Sequence, residues 1–296
     1  MAMLDERHEK LPTPNDNNNY TLGRVCGHNV VMACLPAGRL GLESAAVVAS
    51  NMRSSFPHIR FGLMVGIGGG VPQDDYDIRL GDVVVSQPGR ANGGVVQYDF
   101  GRTVSGGQFV QTGALDGPPN VLLTALATLR AEHPLHGGNR IAEYLRLMQE
   151  KYPLMTPAFG YPGAENDQLF EAEYDHVDER PTCDICDPAE VRNRPRRQSS
   201  DAVVHYGTIA SGNQVMRHGA TRDQISRSYP GGVLCFDMEA AGLMNDFRCL
   251  VVRGICDYAD SHKNDVWQDY AAATAAAYSK EILSVIAPDE VVEIGM

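Results

Sequence analysis

Short apolar runs bounded by glycine or proline recur along most of the chain. They are rich in valine and isoleucine, which is typical of buried strands. The runs are HNVVMACLP, RFGLMVGIGGG, GDVVVSQP, GGVVQYDF, AVVHYGTIASG, GVLCF and CLVVRGIC. A hairpin opens the series, because YTLGRV and HNVVMAC flank Cys26 and Gly27. We therefore expect one edge of the sheet to be antiparallel.

The segments between these runs predict amphipathic helices. GLESAAVVASNMRSSF places Ala45, Val48, Ala49 and Met52 on one face, at the spacing of a buried helical stripe. Three further helical segments are PPNVLLTALATLRAEH, NRIAEYLRLMQEKY and the alanine-rich DVWQDYAAATAAAYSKEILSVI. Strands that alternate with helices predict an α/β fold with a parallel or mixed sheet.

The length of 296 residues favours one large domain over two small ones. We place this domain at residues 20–287, between an N-terminal tail at 1–19 and a C-terminal tail at 288–296. A polar excursion at 153–200, rich in proline and acid, interrupts it as a lid or a surface loop. Its four arginines at 192, 194, 196 and 197 are most simply a solvated basic loop.

Composition and charge narrow the class of ligand. The net charge of -12 argues against binding a nucleic-acid polymer or an anionic membrane surface. No window has the length of a membrane-spanning segment, and cysteines inside apolar runs predict reduced thiols in a cytoplasmic protein. A small polar molecule is the expected ligand.

Two carboxylates stand out. A helix capped by Asp237 and running to about Phe247 would bury one stripe and leave Glu239 in its first turn, where a carboxylate suits the helix dipole. Asp257 follows the strand LVVRGI, and ligands of open α/β sheets bind beyond the carboxyl ends of strands. Taken alone, Glu239 is more simply a surface acid matched to the helix dipole, and Asp257 could equally be an N-cap or turn aspartate.

Three weaker motifs remain open. The glycine run VGIGGGVP offers bare backbone amides to a ligand or anion, and the turn ASGNQVM follows another strand. Cys183 and Cys186 form CDIC, which could be a pair of structural thiols, half of a zinc site with His176 nearby, or a redox pair.

In this order, the motifs VGIGGGVP, GGVVQYDFGR, YGTIASGNQVM, CFDMEAAGLMND and CLVVRGICDYADSHKND resemble the nucleoside phosphorylase and nucleosidase superfamily. The similarity spans residues 20–286, and is strongest to the purine/uridine phosphorylase-like domain of the fungal type, related to methylthioadenosine/S-adenosylhomocysteine nucleosidases. It implies a three-layer α/β sandwich with a central mixed sheet flanked by helices. It also implies a homo-oligomer, with no metal and no organic cofactor.

The resemblance assigns roles to individual positions. Met238 and Glu239 match the pair that holds the ribose, and Asp257 matches the acid that protonates or hydrogen-bonds the purine N7. Such groups stabilise the charges that develop when an N-glycosidic bond breaks. The remaining implied contacts are Val215 and Met216 at the base, Gly66, Ile67, Gly68 and Gly69 at the nucleophile or phosphate, and Tyr98, Asp99 and Phe100 at the 5′ end of the ribose.

Two departures from the family pattern shape the expected function. Met64 and Ile67 occupy the positions of a phosphate-binding arginine and hydroxyl, which favours water as the nucleophile and hence a purine nucleosidase. The family's first strand, which carries the water-activating glutamate in hydrolases, is expected to be missing. The alternatives are a phosphorylase with inorganic phosphate as co-substrate, an ATP-type nucleotide nucleosidase and a non-catalytic nucleoside-binding domain.

Overall fold

The four predicted amphipathic segments form helices, and two shorter helices, at Thr156–Phe159 and Gly219–Arg227, form where none is predicted. The computed structural model describes residues 1–13, 16–107, 109–178, 180 and 182–288, so the tail expected at 288–296 lies outside the described residues except for Pro288. The helices are α1 Leu42–Ser55, α2 Asn120–His136, α3 Ile141–Lys151, α4 Thr156–Phe159, α5 Gly219–Arg227 and α6 Gln268–Ser284.

The strands form a mixed central sheet, a small sheet and a two-stranded ribbon. They are β1 Glu6–Arg7, β2 Tyr20–Val25, β3 His28–Ala33, β4 Gly62–Gly70, β5 Val83–Ser86, β6 Val95–Gln97, β7 Gly101–Thr103, β8 Phe109–Gln111, β9 Val204–Gly207, β10 Ile209–Ser211, β11 Cys235–Asp237 and β12 Cys249–Asp257. The central sheet has the order β6-β10-β11-β4-β12-β5-β9. β4 and β12 are parallel, whereas β11–β4 and β12–β5 are antiparallel. This arrangement confirms the predicted α/β fold with a mixed sheet.

The central sheet curls. The run AVVHYGTIASG, predicted as one strand, forms β9 and β10, which are separated only by Thr208. β9 pairs with β5 at one end of the sheet, while β10 lies between β6 and β11 near the other end. Because one residue joins strands so far apart in the sheet order, the two ends must approach each other.

The opening hairpin is antiparallel as predicted, but its expected place at the edge of the central sheet is wrong. β2 and β3 pair with β1 in a separate three-stranded sheet. Leu4 and Val25 pack on Leu283 near the end of α6, and the His28 ring contacts the Leu283 carbonyl. The hairpin therefore buries its apolar face against a helix end instead of extending the central sheet.

The core is built around α6 and β12. Every residue of β12 except Asp257 is buried, and α6 lies directly on it. A Cβ atom on Gly254 would lie 1.8 Å from the Ala271 carbonyl oxygen, so the two backbones are in direct contact. The alanine-rich sequence of α6 makes this close approach possible. Among the helices of the described residues, none has the length and apolarity needed to cross a bilayer.

One side of β4 is open. β12 pairs with β4 from Gly62 to Gly69, but β11 reaches only Gly69 and Gly70 on the opposite side. Within the part of the chain that the structure describes, no strand pairs with that side before Gly69, and Val65 is 42% exposed. The backbone of β4 is therefore open beside the candidate site.

The excursion at 153–200, of which residues 179 and 181 lie outside the described ranges, is fastened to the domain by two of its arginines. Arg194 contacts Asp167 at 3.0 Å and donates to the Tyr258 hydroxyl at 2.9 Å. Arg197 donates to both carboxylate oxygens of Asp82, each at 2.7 Å. The expectation of a solvated basic loop is therefore wrong for these two residues, because buried acids hold them.

Replacing Arg197 with alanine should lower the free energy of unfolding at pH 7 by about 3 kcal/mol, because Asp82 is only 1% exposed and would lose its paired cation. Burial alone would raise the pKa of Asp82, but hydrogen bonds from His205 and Arg197 outweigh burial and lower it. A lowered carboxyl pKa stabilises the fold above the unfolded pKa of about 3.9 and ceases to do so at lower pH.

Urea unfolding across pH measures this effect, with Arg196→Ala as the matched control because Arg196 is exposed. The difference in stability between the wild type and Arg197→Ala should shrink as the pH falls below about 4. Equal stability at pH 7 would show that the ion pair contributes nothing.

Candidate active site

Glu239 lies on a tight turn and not in the predicted helix. The helix expected from Asp237 to about Phe247 is wrong, because only a 3₁₀ turn at Ala240–Gly242 forms. A Cβ atom on Gly242 would lie 2.3 Å from the Leu42 carbonyl oxygen, so the turn sits against the first residue of α1. Ala241 N–H donates to the Ser211 hydroxyl at 2.9 Å, which fastens the turn to the end of β10.

Arg253 is the buried cation of this site. Its guanidinium, 4% exposed, lies 2.5 Å from the Asp237 carboxylate and 3.4 Å from that of Glu239. Its Nη1 also donates to the Ile67 carbonyl at 3.3 Å. Burial alone would lower the pKa of Arg253, but the two carboxylates raise it, so the guanidinium stays charged. The arginine thus fixes Glu239 beside β4.

The glycine run is part of a strand. Residues 66–69 lie inside β4, within the apolar run RFGLMVGIGGG that predicts a strand. A Cβ atom on Gly66 would lie 2.2 Å from Arg253 Nη1, and one on Gly69 would lie 2.6 Å from Asp257 Oδ1. On Gly68 it would approach the Phe236 carbonyl oxygen to 2.9 Å. The glycines therefore leave room for the charged side chains of β12 and for the backbone of β11.

Asp257 ends β12, four residues beyond Arg253. A bulge between Ile255 and Asp257 shifts the register there, so that Asp257 lies opposite Gly69. Ala259 N–H donates to its Oδ1 at 2.7 Å, and the Lys263 ammonium lies 3.2 Å from its Oδ2. The carboxylate is thus held at a strand end beside a cation.

The residues expected at the base and the 5′ end of the ribose lie in the segments that follow β6 and β10. Asn213 N–H donates to Asp99 at 2.7 Å, which joins the segments after β6 and β10. Met216 is buried against Tyr98, whereas Val215 and Phe100 are 51% and 57% exposed.

Tyr98 links these segments to β11, because its ring packs edge-on against that of Phe236, with the ring centroids 5.3 Å apart. Its hydroxyl donates to the Gln214 carbonyl at 2.8 Å. Burial and the nearby Asp99 carboxylate raise the pKa of Tyr98 to about 12, so the hydroxyl remains protonated at neutral pH.

The register of the central sheet places the two acids and the segments after β6 and β10 in relation to each other. Asp257 lies opposite Gly69, Gly69 opposite Phe236, Phe236 opposite Ala210, and Ala210 opposite Val96. The acids after β11 and β12 and the segments after β6 and β10 therefore start from one row of residues across the sheet.

The sequence does not predict three charged residues of the site. It predicts Arg253 inside a buried strand and Asp237 at a helix cap, and it gives no signal for Lys263. Arg253 is the one charged residue in the apolar run CLVVRGIC. A buried charge is rarely left unpaired, so that run did contain a usable signal.

Known proteins resemble this chain in sequence and in fold. No protein-family model matches the chain. A nucleotide-binding leucine-rich repeat (NLR)-like protein of Hyaloscypha variabilis is 47% identical over 97% of this chain, which spans 28% of the length of that relative.

Solved structures with a similar fold are hydrolytic nucleosidases. The 5′-methylthioadenosine/S-adenosylhomocysteine nucleosidase of Neisseria meningitidis, in complex with methylthio-immucillin-A, has a TM-score of 0.58 at 17% identity, covering 95% of this chain and 91% of that one. Futalosine hydrolase of Helicobacter pylori has a TM-score of 0.57 at 16% identity, covering 95% and 89%. This chain therefore has the fold of these nucleosidases.

Proposed function

We propose that this chain hydrolyses the N-glycosidic bond of purine nucleosides and releases the free base and ribose. The observation that carries the proposal is the placing of Arg253 between Asp237 and Glu239, with Asp257 at the end of the same strand. Two acids with different partners suit a reaction that develops positive charge on the sugar and negative charge on the base. The fold likeness to nucleosidases supports the same reaction class.

Each acid has a separate task in this reaction. Glu239, held by Arg253, accepts hydrogen bonds from the ribose hydroxyls and stabilises the cationic sugar. The bond between the sugar C1′ and the base breaks, and its electron pair leaves with the base. Asp257, held beside Lys263, protonates or hydrogen-bonds the base at N7 as that charge develops. The oxygen of water forms the new bond to C1′, and one proton of that water passes to the solvent, which balances the proton that the base takes up.

The contacts of the arginines favour water over phosphate and a nucleoside over a nucleotide. Arg253 is already paired with two carboxylates, and its Nη2 contacts Met64 Sδ at 3.6 Å instead of facing an open anion site. Arg194 and Arg197, which could otherwise contact the phosphates of a nucleotide, are paired with Asp167 and Asp82. These pairings support water as the nucleophile and a nucleoside as the substrate, over the phosphorylase and ATP-type alternatives.

A substrate panel tests the proposal. Purified protein is incubated with adenosine, inosine, guanosine, uridine and ATP, and base release is followed by chromatography. We expect release from purine nucleosides and little from uridine or ATP. Nucleoside binding without turnover would contradict the proposal and support a non-catalytic binding domain.

Glu239→Gln tests the ribose contact within the same assay. If Glu239 binds the ribose hydroxyls, the wild type should prefer adenosine to 2′-deoxyadenosine, and the variant should lose activity on adenosine and most of this preference. Glu143→Gln, an exposed acid on α3, is the matched control and should behave as the wild type. An unchanged preference in Glu239→Gln would remove Glu239 from the ribose site.

A further inference from the structure

We propose that His176, Cys183, Cys186 and His262 bind one zinc ion, which fastens the polar excursion to the loop after β12. The ligand atoms of His176, Cys183 and Cys186 all lie within 4.8 Å of one another. Thiolates and imidazoles are the preferred ligands of structural zinc, and a Cys-x-x-Cys pair is a recurrent half of such sites. The proposal departs from the metal-free site implied by the resemblance.

His262 supplies the fourth ligand. Its imidazole is 7% exposed, and neither ring nitrogen has a hydrogen-bond partner among the described residues. A buried polar group without a hydrogen-bond partner destabilises the folded state, so a ligand bound to this ring would stabilise it. Phe170 stacks on it at 4.0 Å, and the ring of His176 lies 5.4 Å away. Structural zinc takes four ligands, and His262 is the unpartnered donor whose ring neighbours that of His176.

The surroundings of His176 match those of a metal ligand. Its Nδ1 lies 2.7 Å from the Asp178 carbonyl oxygen and 3.3 Å from the Asp178 backbone nitrogen, and in the tautomer with Nδ1 protonated it donates to the carbonyl. Metal-bound histidines usually donate their other ring N–H to such an acceptor, which leaves Nε2 free for the metal. Nε2 lies 3.0 Å from the Thr182 carbonyl oxygen. If Nδ1 carries the proton, two lone pairs face each other there, a contact that a bound cation would relieve.

The ligand atoms of His176, Cys183 and Cys186 are close to zinc geometry but not yet at it, and the His262 ring lies outside the 4.8 Å that spans these three. With bond lengths of about 2.0–2.3 Å, ligand atoms around tetrahedral zinc lie roughly 3.3–3.8 Å apart. Closing from 4.8 Å needs a contraction of about 1 Å, within reach of side-chain rotations. Binding releases the thiol protons of Cys183 and Cys186, and the two thiolates balance the charge of the cation.

A redox pair explains fewer of these observations. Cys183 and Cys186 are free thiols in the structure. A disulfide between them would leave His262 unpartnered and would not involve His176. The metal site accounts for all four side chains together.

The zinc would act on the loop that follows Asp257 and carries Lys263. His176 N–H donates to the Ser261 hydroxyl at 2.9 Å, and Ser261 contacts Asp175 at 3.2 Å. Ser261 lies between Asp257 and Lys263. A metal shared by the excursion and His262 therefore restrains this loop from both sides.

Metal analysis of the full chain, purified under reducing conditions without a polyhistidine tag, tests the site. We expect one zinc per chain, and X-ray absorption should show two sulfur and two nitrogen neighbours. Cys183→Ser, Cys186→Ser, His176→Ala and His262→Ala should each lose most of the zinc. Cys34→Ser and His58→Ala, at exposed positions, should retain it.

A second readout does not depend on the variants folding. Chelation should lower the melting temperature of the wild type, and added zinc should restore it. Cobalt(II) should replace zinc with the absorption of a tetrahedral thiolate site. Protein that neither carries zinc nor binds it on addition would overturn the proposal, as would a Cys183–Cys186 disulfide in freshly isolated protein. Full zinc content in His262→Ala would exclude His262 as a ligand. None of these outcomes depends on nucleosidase activity.

Discussion

Replacing Arg253 with methionine should abolish base release and lower the free energy of unfolding by about 3–5 kcal/mol. The guanidinium is the shared cation of Asp237 and Glu239, and its Nη1 also contacts the Ile67 carbonyl. Without it, two carboxylates would remain in a poorly solvated site with no cation between them. Removing one partner of a buried ion pair is strongly destabilising for this reason. Urea unfolding and base-release kinetics measure the two effects.

Two further variants separate charge from geometry. Arg253→Lys keeps the positive charge but lacks the planar fork that reaches both acids, so we expect partial recovery of stability and little recovery of activity. Asp237→Asn combined with Arg253→Met should be less destabilised than the sum of the single variants, because one uncompensated charge is removed. Wild-type stability in Arg253→Met would show that the ion pairs do not hold the site together.

Asp257→Asn should reduce kcat for purine nucleosides by about 10²–10⁴-fold, the usual contribution of general acid catalysis. The asparagine amide keeps the size of the side chain and can still contact Ala259 N–H, but it cannot supply a proton to the departing base. Steady-state kinetics of base release measure the loss.

A riboside with a leaving group that needs no proton is the internal control. On 4-nitrophenyl β-D-ribofuranoside, Asp257→Asn should keep most of the wild-type rate. Equal losses on both substrates would mean that Asp257 positions the substrate instead of assisting departure. An undiminished rate on adenosine would exclude Asp257 from the reaction.

The sequence predicts the fold because its patterns are local. Apolar runs and amphipathic segments mark the central strands and four long helices. In the stripe predicted for α1, Ala45, Val48 and Ala49 are buried, whereas Met52 is half-buried. In the stripe predicted after Asp237, Ala240, Leu243 and Met244 are buried although no helix forms there, whereas Phe247 is half-buried. Burial follows hydrophobicity, whereas the backbone of that segment is set by the contact of Gly242 with the start of α1.

Features that depend on distant contacts were beyond the sequence. The separate sheet of the hairpin follows from packing on α6, and the split of β9 from β10 follows from the closure of the sheet. At the site, the sequence pointed to Glu239 and Asp257 separately. The partners that hold them, Arg253 and Lys263, emerge only when the strands and loops come together.

Product analysis with adenosine tests the central claim most directly. The protein is incubated with adenosine in buffer freed of phosphate and, in parallel, in buffer with inorganic phosphate, and the sugar product is identified by mass spectrometry and ³¹P NMR. We predict adenine and free ribose in both buffers, with no ribose 1-phosphate. Strict dependence on phosphate with formation of ribose 1-phosphate, or no base release in either buffer, would contradict hydrolysis at this site.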